Sequence, residues 1–192
     1  MLAFFMKMGR IMKTIDDYNE ILTDRLLLRR VLLTDASQMY QWLSDENTVQ
    51  WLSGTLNTSI ENVENQAIKS YFWQDVVNTK KYGIALKETN ELIGSIDFRQ
   101  NILKNNAEIG YVLTPLQRGK GFMHEAVSNL LKIGFTELNL VDIWISHDIE
   151  NISSRHIPER LGFEQAKISD TSDHIVWHMS SEQYREKSQM DF

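Results

Sequence analysis

The turn Gln117-Arg118-Gly119-Lys120-Gly121 constrains this chain more than any other segment. Before it, residues 107–113 hold β-branched, aromatic and aliphatic side chains over the length of a strand, and Thr114 and Pro115 close the run. After it, Phe122, Met123, Ala126, Val127, Leu130, Leu131, Gly134, Phe135 and Leu138 recur at three- and four-residue spacing, which predicts a long helix with one apolar stripe. A glycine-rich turn between strand and helix gathers backbone N–H groups and a helix N-terminus at one point, here with Arg118 and Lys120 beside it. That is a seat for a phosphate or pyrophosphate, although the same pattern also serves as a plain tight connection. The spacing lacks the Lys-Ser/Thr pair of a phosphate-loop nucleotidase. A dinucleotide fold is disfavoured because several strands precede the turn.

The rest of the chain supplies those strands. Residues 25–30 read as a first strand, and Thr34-Asp35 offers an N-cap for a helix through Ala36, Met39, Tyr40 and Leu43. A short helical segment follows at 47–52, broken by Ser53-Gly54, and a longer one is expected from Ile60 to Val76. At Tyr82 the period shortens. Residues 82–86 and 92–98 read as a hairpin about the turn 87–90, leading to the central strand at 107–113. Residues 140–146 make another strand, 153–161 a helix stopped by Gly162, and 164–169 with 174–179 a closing hairpin about the turn 170–173. The fold class is α/β of the α+β type: one domain over 21–180 with a mixed, mostly antiparallel sheet of about six or seven strands and about four helices. Residues 1–20 are expected to be an N-terminal extension and 181–192 a C-terminal tail. The unit at 107–146 should be a parallel, right-handed β–helix–β crossover.

Composition narrows the partners. A formal net charge of −6 argues against broad phosphate neutralisation of a nucleic acid, so a polyanionic ligand must be met by a local cluster. Without cysteine there is no disulfide, thiolate nucleophile or Cys-ligated metal, and a reducing cytoplasm is expected. The apolar start is interrupted by Lys7 and Arg10 and is too short to span a bilayer, so no membrane is expected. His124, His147 and His156 lack a metal-ligand pattern, and no metal is expected.

Two segments together resemble the GCN5-related N-acetyltransferase (GNAT) superfamily. Residues 118–123, Arg-Gly-Lys-Gly-Phe-Met, are similar to its pyrophosphate loop R/Q-x-x-G-x-G/A, with Met123 where Gly or Ala is usual. Asn151 and Ser154, followed by Glu159-Arg160-Leu161-Gly162-Phe163, resemble its N-x-x-S…E-K/R-L-G-F segment. Residues 25–29, 107–111, 121–126 and 157–163 look most like the branch of ribosomal-protein N-terminal acetyltransferases. The resemblance implies acetyl-CoA as cosubstrate, lying where the central strand and the next strand splay apart. It implies that backbone groups of Tyr111, Val112 and Leu113 pair with the pantetheine arm, that Arg118, Gly119, Lys120, Gly121, Phe122 and Met123 hold the pyrophosphate, and that Asn151 bonds the arm near the opening.

Direct acetyl transfer to a primary amine needs a base, an oxyanion donor and a proton for the thiolate. Glu108 shares a strand face with Gly110 and Val112 and is the candidate base, acting through water; it also reads as a salt-bridged strand glutamate. The N–H of Val112 or Leu113 is the expected oxyanion donor. Many GNAT enzymes place a tyrosine acid where Pro158 stands here, which leaves Ser154 or solvent to protonate the sulfur. The expected acceptor is a protein N-terminus ahead of a polyamine or other small amine, approached past Trp51 and residues 44–56. Asp45, Glu46, Glu61 and Glu64 are candidates for an acidic groove. The alternative is a non-catalytic acyl-CoA-binding regulator or interaction module. Homodimers are common in this branch.

Overall fold

The structure is a computed structural model that describes residues 13–52, 56–68, 76–166 and 173–190. Among them eight strands form one sheet: β1 Ile21–Leu22, β2 Leu26–Arg29, β3 Thr79–Leu86, β4 Leu92–Asn101, β5 Asn106–Leu113, β6 Asp142–Asp148, β7 Glu164–Gln165 and β8 His174–Ser180. Their order is β1-β2-β3-β4-β5-β6-β8-β7, and every neighbouring pair is antiparallel except β5 with β6. The α-helices among the described residues are α1 Ala36–Leu43, α2 Glu46–Val49, α3 Ile60–Asn62, α4 Phe122–Lys132, α5 Ile152–Leu161 and α6 Ser181–Met190. The sheet exceeds the expected six or seven strands by β1, whose two residues are too few to show a period, whereas β7 is the start of the strand expected at 164–169. The short helices α2 and α3 fall where helical segments are expected, whereas α6, within the residues expected to be a tail, is polar apart from Tyr184 and Met190 and carries no apolar stripe. It is moored by Tyr184, whose ring lies 4.9 Å from that of Phe135. The expected helix at 60–76 and strand at 164–169 include 69–75 and 167–169, and the expected turn at 170–173 includes 170–172, all of which lie outside the described residues.

Two apolar clusters grip opposite faces of the sheet. The stripe of α4, with Met123, Ala126, Val127, Leu130 and Leu131 buried, packs on Phe98, Ala107, Ile109, Ile143 and Ile145. Ile15, inside the expected extension, is fully buried in the same cluster. On the other face Ala36, Met39, Trp42 and Leu43 of α1 meet Val31, Leu92 and Val112. Val112 and its neighbours Ile109 and Leu113 divide between the clusters as strand alternation requires.

Asp35 does not cap α1 with its side chain. Its carboxylate instead forms a two-pronged pair with Arg29, at 2.8 and 2.9 Å, and accepts the Leu32 N–H at 2.7 Å. Arg29 also donates to Asn90 and to the Arg30 carbonyl, so this buried cation ties β2 to the β3–β4 turn and to the start of α1. A bidentate, desolvated ion pair outweighs one cap bond. Removing one partner strands the other, so Asp35→Ala is expected to cost about 3–5 kcal/mol in chemical denaturation, and the double replacement Arg29→Met with Asp35→Leu to recover most of it.

Candidate active site

β5 pairs with β6 only from Asn106↔Asp142 to Ile109↔Ile145, yet it continues to Leu113 in register with β4. β6 follows β8 instead, through Ser146↔Val176, His147↔Ile175 and Asp148↔His174. Residues 110–113 therefore have a strand neighbour on one side only. The β4–β5 register is unbroken, and the Thr114 N–H donates to the Ile93 carbonyl at 2.8 Å. By alternation Gly110 and Val112 direct their backbone groups to β4, whereas Tyr111 and Leu113 direct theirs into the gap. Val112 meets the gap's surroundings through its side chain. A cleft of about 750 Å³ opens here, with Thr48, Trp51, Asp97, Tyr111, Phe122 and Asn151 among its lining.

The glycine turn stands at one end. Gly119 and Gly121 have φ of +76° and +80°, the left-handed region that glycine enters without strain. Gly121 is the N-cap of α4 and no side chain caps the helix, so its first-turn N–H groups face outward without a side-chain acceptor. The Arg118 guanidinium is turned away from these amides. It donates to the Leu113 carbonyl at 3.1 Å and to Thr48 Oγ1 at 2.7 Å, and Thr48 donates to Asp45, so a polar strut braces α2 on the end of β5. Lys120 donates to Gln117 at 2.8 Å. Met123 is buried in the core, so its bulk leaves the turn clear. Phe122 lies under the Arg25 guanidinium, 4.6 Å from its ring centre. Arg25 also donates to the Lys120 carbonyl and to Glu125. Burial works against the charge of Glu125, but hydrogen bonds from Thr23 and from the Arg25 amide and guanidinium outweigh it and hold the carboxyl below its usual range.

At the other side of the gap Asn151 caps α5: its Oδ1 accepts the Ser154 N–H at 3.2 Å and the Ser153 hydroxyl at 2.9 Å. Asn151 and Ser154 both line the cleft. Pro158, buried within α5, has no N–H for the Ser154 carbonyl one turn earlier. The Tyr111 hydroxyl crosses the gap and donates to that carbonyl at 2.9 Å, replacing the missing helical bond. Burial pushes this phenol above its usual range. Trp177 donates to His147 Nε2 at 2.9 Å, which leaves the proton on Nδ1, 2.7 Å from the Asp148 carbonyl; both ring nitrogens are thus engaged.

Glu108 lies on the cleft face with Gly110 and Val112, half exposed, its Oε1 3.0 Å from Arg99 Nη2. Arg99 pairs through Nη1 with Asp97, a residue the sequence reading passed over. Among the described residues, the carboxylates lining the cleft are Asp97, Glu108 and Asp148, and not Asp45, Glu46, Glu61 or Glu64. The signal for Asp97 was a lone acid within Gly94-Ser95-Ile96-Asp97-Phe98, but only the register, which sets it beside Gly110, gives it a place. Of the segment 44–56, expected on the acceptor side, Thr48, Gln50, Trp51 and Leu52 line the cleft.

The family described as Acetyltransferase (GNAT) domain matches residues 25–164. An uncharacterized N-acetyltransferase, p20, of Bacillus licheniformis is 35% identical over 146 residues, 74% of this chain and 81% of its own. The spermidine N(1)-acetyltransferase of Vibrio cholerae is 29% identical over 87 residues, 45% of this chain and 50% of its own. The crystal structure of an acetyltransferase (GNAT family) from Bacillus anthracis superposes with a TM-score of 0.73 at 24% identity, covering 85% of this chain and 99% of its own. The chain belongs to the GNAT acetyltransferase family and is an N-acetyltransferase; the fold family uses acetyl-CoA.

The bond from Tyr111 to Ser154 is open to a double-mutant cycle. Tyr111→Phe should cost about 1–2 kcal/mol in urea unfolding, because it leaves a buried carbonyl unpaired. In a Pro158→Ala background, where the helix regains an N–H for Ser154, the same change should cost less than half as much.

Proposed function

We propose that this chain moves the acetyl group of acetyl-CoA directly to a primary amine in the cytoplasm, a protein N-terminus ahead of a polyamine or other small amine. The observation that carries the reading is the open edge of β5 beyond its pairing with β6, which shares one cleft with the uncapped start of α4. An extended amide-bearing arm ending in a diphosphate has the shape and hydrogen-bonding pattern to fit both parts. Bound there, acetyl-CoA supplies an activated acyl thioester.

Each residue then has a task. Tyr111 offers strand-like backbone partners to the arm, and the N–H of Leu113, whose carbonyl Arg118 holds, is the donor aimed at developing negative charge on the acyl oxygen. The amides of Gly119, Lys120, Gly121, Phe122 and Met123 hold the diphosphate, with Lys120 adding positive charge. Arg118 contributes by fixing the end of β5 against α2. Asn151 faces the arm with the amide group that its capping role leaves over. Glu108, at the rim, draws the amine's proton outward through water, and Ser154 stands nearest in role to a sulfur partner. Asp97, Glu108 and Asp148 in the cleft lining offer carboxylate partners to a cationic acceptor, as both a peptide N-terminus and a polyamine are. A peptide terminus comes first because residues 25–29 and 107–111 resemble the ribosomal-protein branch.

Calorimetry with acetyl-CoA and a thiol-release assay over N-terminal peptides, spermidine and aminoglycosides test the proposal together. Acetyl-CoA is expected to bind, and one acceptor class to release CoA well above the water rate. Glu108→Gln should lower kcat about tenfold or more with acetyl-CoA affinity retained, and Arg118→Ala should weaken that affinity about tenfold. A wild-type protein indifferent to acetyl-CoA would end this reading.

A further inference from the structure

The carboxylate nearest the point where β5 leaves β6 is that of Asp97. It sits on β4 directly across from Gly110, one residue beyond the last parallel pair. The position exists because residue 110 has no side chain: a Cβ there would come within 2.6 Å of Asp97 Oδ1. Arg99 holds the other oxygen and reaches Glu108 with its second nitrogen, so one guanidinium spans an inner and an outer carboxylate along the same sheet face. The Asp97 side chain is 20% exposed and that of Glu108 45%. Both line the cleft, whose neighbouring wall brings Thr48, Gln50 and Trp51, none of them charged. The charged groups facing Asp97 are Arg99 on its own strand, Lys81 on β3 and Glu108 on β5.

We infer that Asp97 is the catalytic residue that takes the first proton from the acceptor's ammonium, with Arg99 positioning it and Glu108 handing the proton on to solvent; the inference rests on the acetyl transfer proposed above. Burial pushes the Asp97 carboxyl above its usual range, more than Arg99 and Lys81 pull it down. In so poorly hydrated a place, a carboxylic acid beside a free amine gains on the ion pair, which is the state the attack requires. One proton passes from nitrogen to Asp97 and frees the lone pair. As the N–C bond forms and the C–S bond breaks, the second nitrogen proton goes to the departing sulfur. Asp97 then releases its proton through water at Glu108, so each turnover gives amide, free thiol and one proton.

Three measurements test this. In the ligand-free protein, the carboxyl carbon signal absent from Asp97→Asn should titrate with a midpoint above the ordinary aspartate value, and Arg99→Ala should raise that midpoint further. With the acceptor that releases most CoA in the peptide and amine panel, Asp97→Asn should lower kcat/KM about a hundredfold and abolish its acid limb, while the acetyl-CoA dissociation constant stays within about twofold. A midpoint at or below the ordinary value overturns the assignment. So does near-wild-type turnover in Asp97→Asn, or a loss matched by equal loss of acetyl-CoA binding. Wild-type protein that binds no acetyl-CoA brings down the proposed function itself and this inference with it, whereas normal wild-type turnover with an unaffected Asp97→Asn removes the inference alone.

Discussion

The molecule turns on two strands that agree for four residue pairs and then part. Each is kept in place by its other neighbour: β5 by an unbroken antiparallel ladder with β4, β6 by β8. Sheets normally satisfy every backbone donor and acceptor, because an orphan in a sheltered place costs about as much as a lost hydrogen bond. Tyr111 and the N–H of Leu113 break that habit, while the Leu113 carbonyl is met by Arg118. Around them the uncapped end of α4, the Asn151 cap and the Asp97–Arg99–Glu108 series face one space, so the divergence creates the open edge and sets the positions of the groups beside it.

Two polar devices keep the parting from spreading. The Tyr111 hydroxyl ties β5 to α5 across the gap, at the one carbonyl that Pro158 has left without a helical donor. Arg118 ties the far end of β5 to α2 through Thr48. Both use side chains whose residue types suggest chemistry, a phenol and a guanidinium at a glycine turn, for holding backbone in place.

Local pattern made much of this legible. The change of period at Tyr82, the stripe of α4 and the stop at Gly162 are properties of contiguous residues, and each element appears within a few positions of where the spacing puts it. What stayed hidden depends on partners distant in sequence. Asp35 has the residue type of a helix cap, but Arg29 competes for its carboxylate and wins. Glu125, which looks like a favourable first-turn charge, anchors Thr23 and Arg25 about a hundred residues earlier. Asp97 becomes conspicuous only when the ladder puts it over a glycine. The motif reading found the turn and the α5 segment for the opposite reason, since both are continuous stretches of chain.

The sheet also acts as a partition. The packing beneath the glycine turn lies on one face, and the packing that carries Thr48 to Leu52 lies on the other, with Val112 facing one and Leu113 the other. Apart from Thr48, which holds Arg118, replacements in the outer wall leave the apolar packing beneath the glycine turn untouched. A chain partitioned this way can change its clientele while still drawing acyl groups from the same donor.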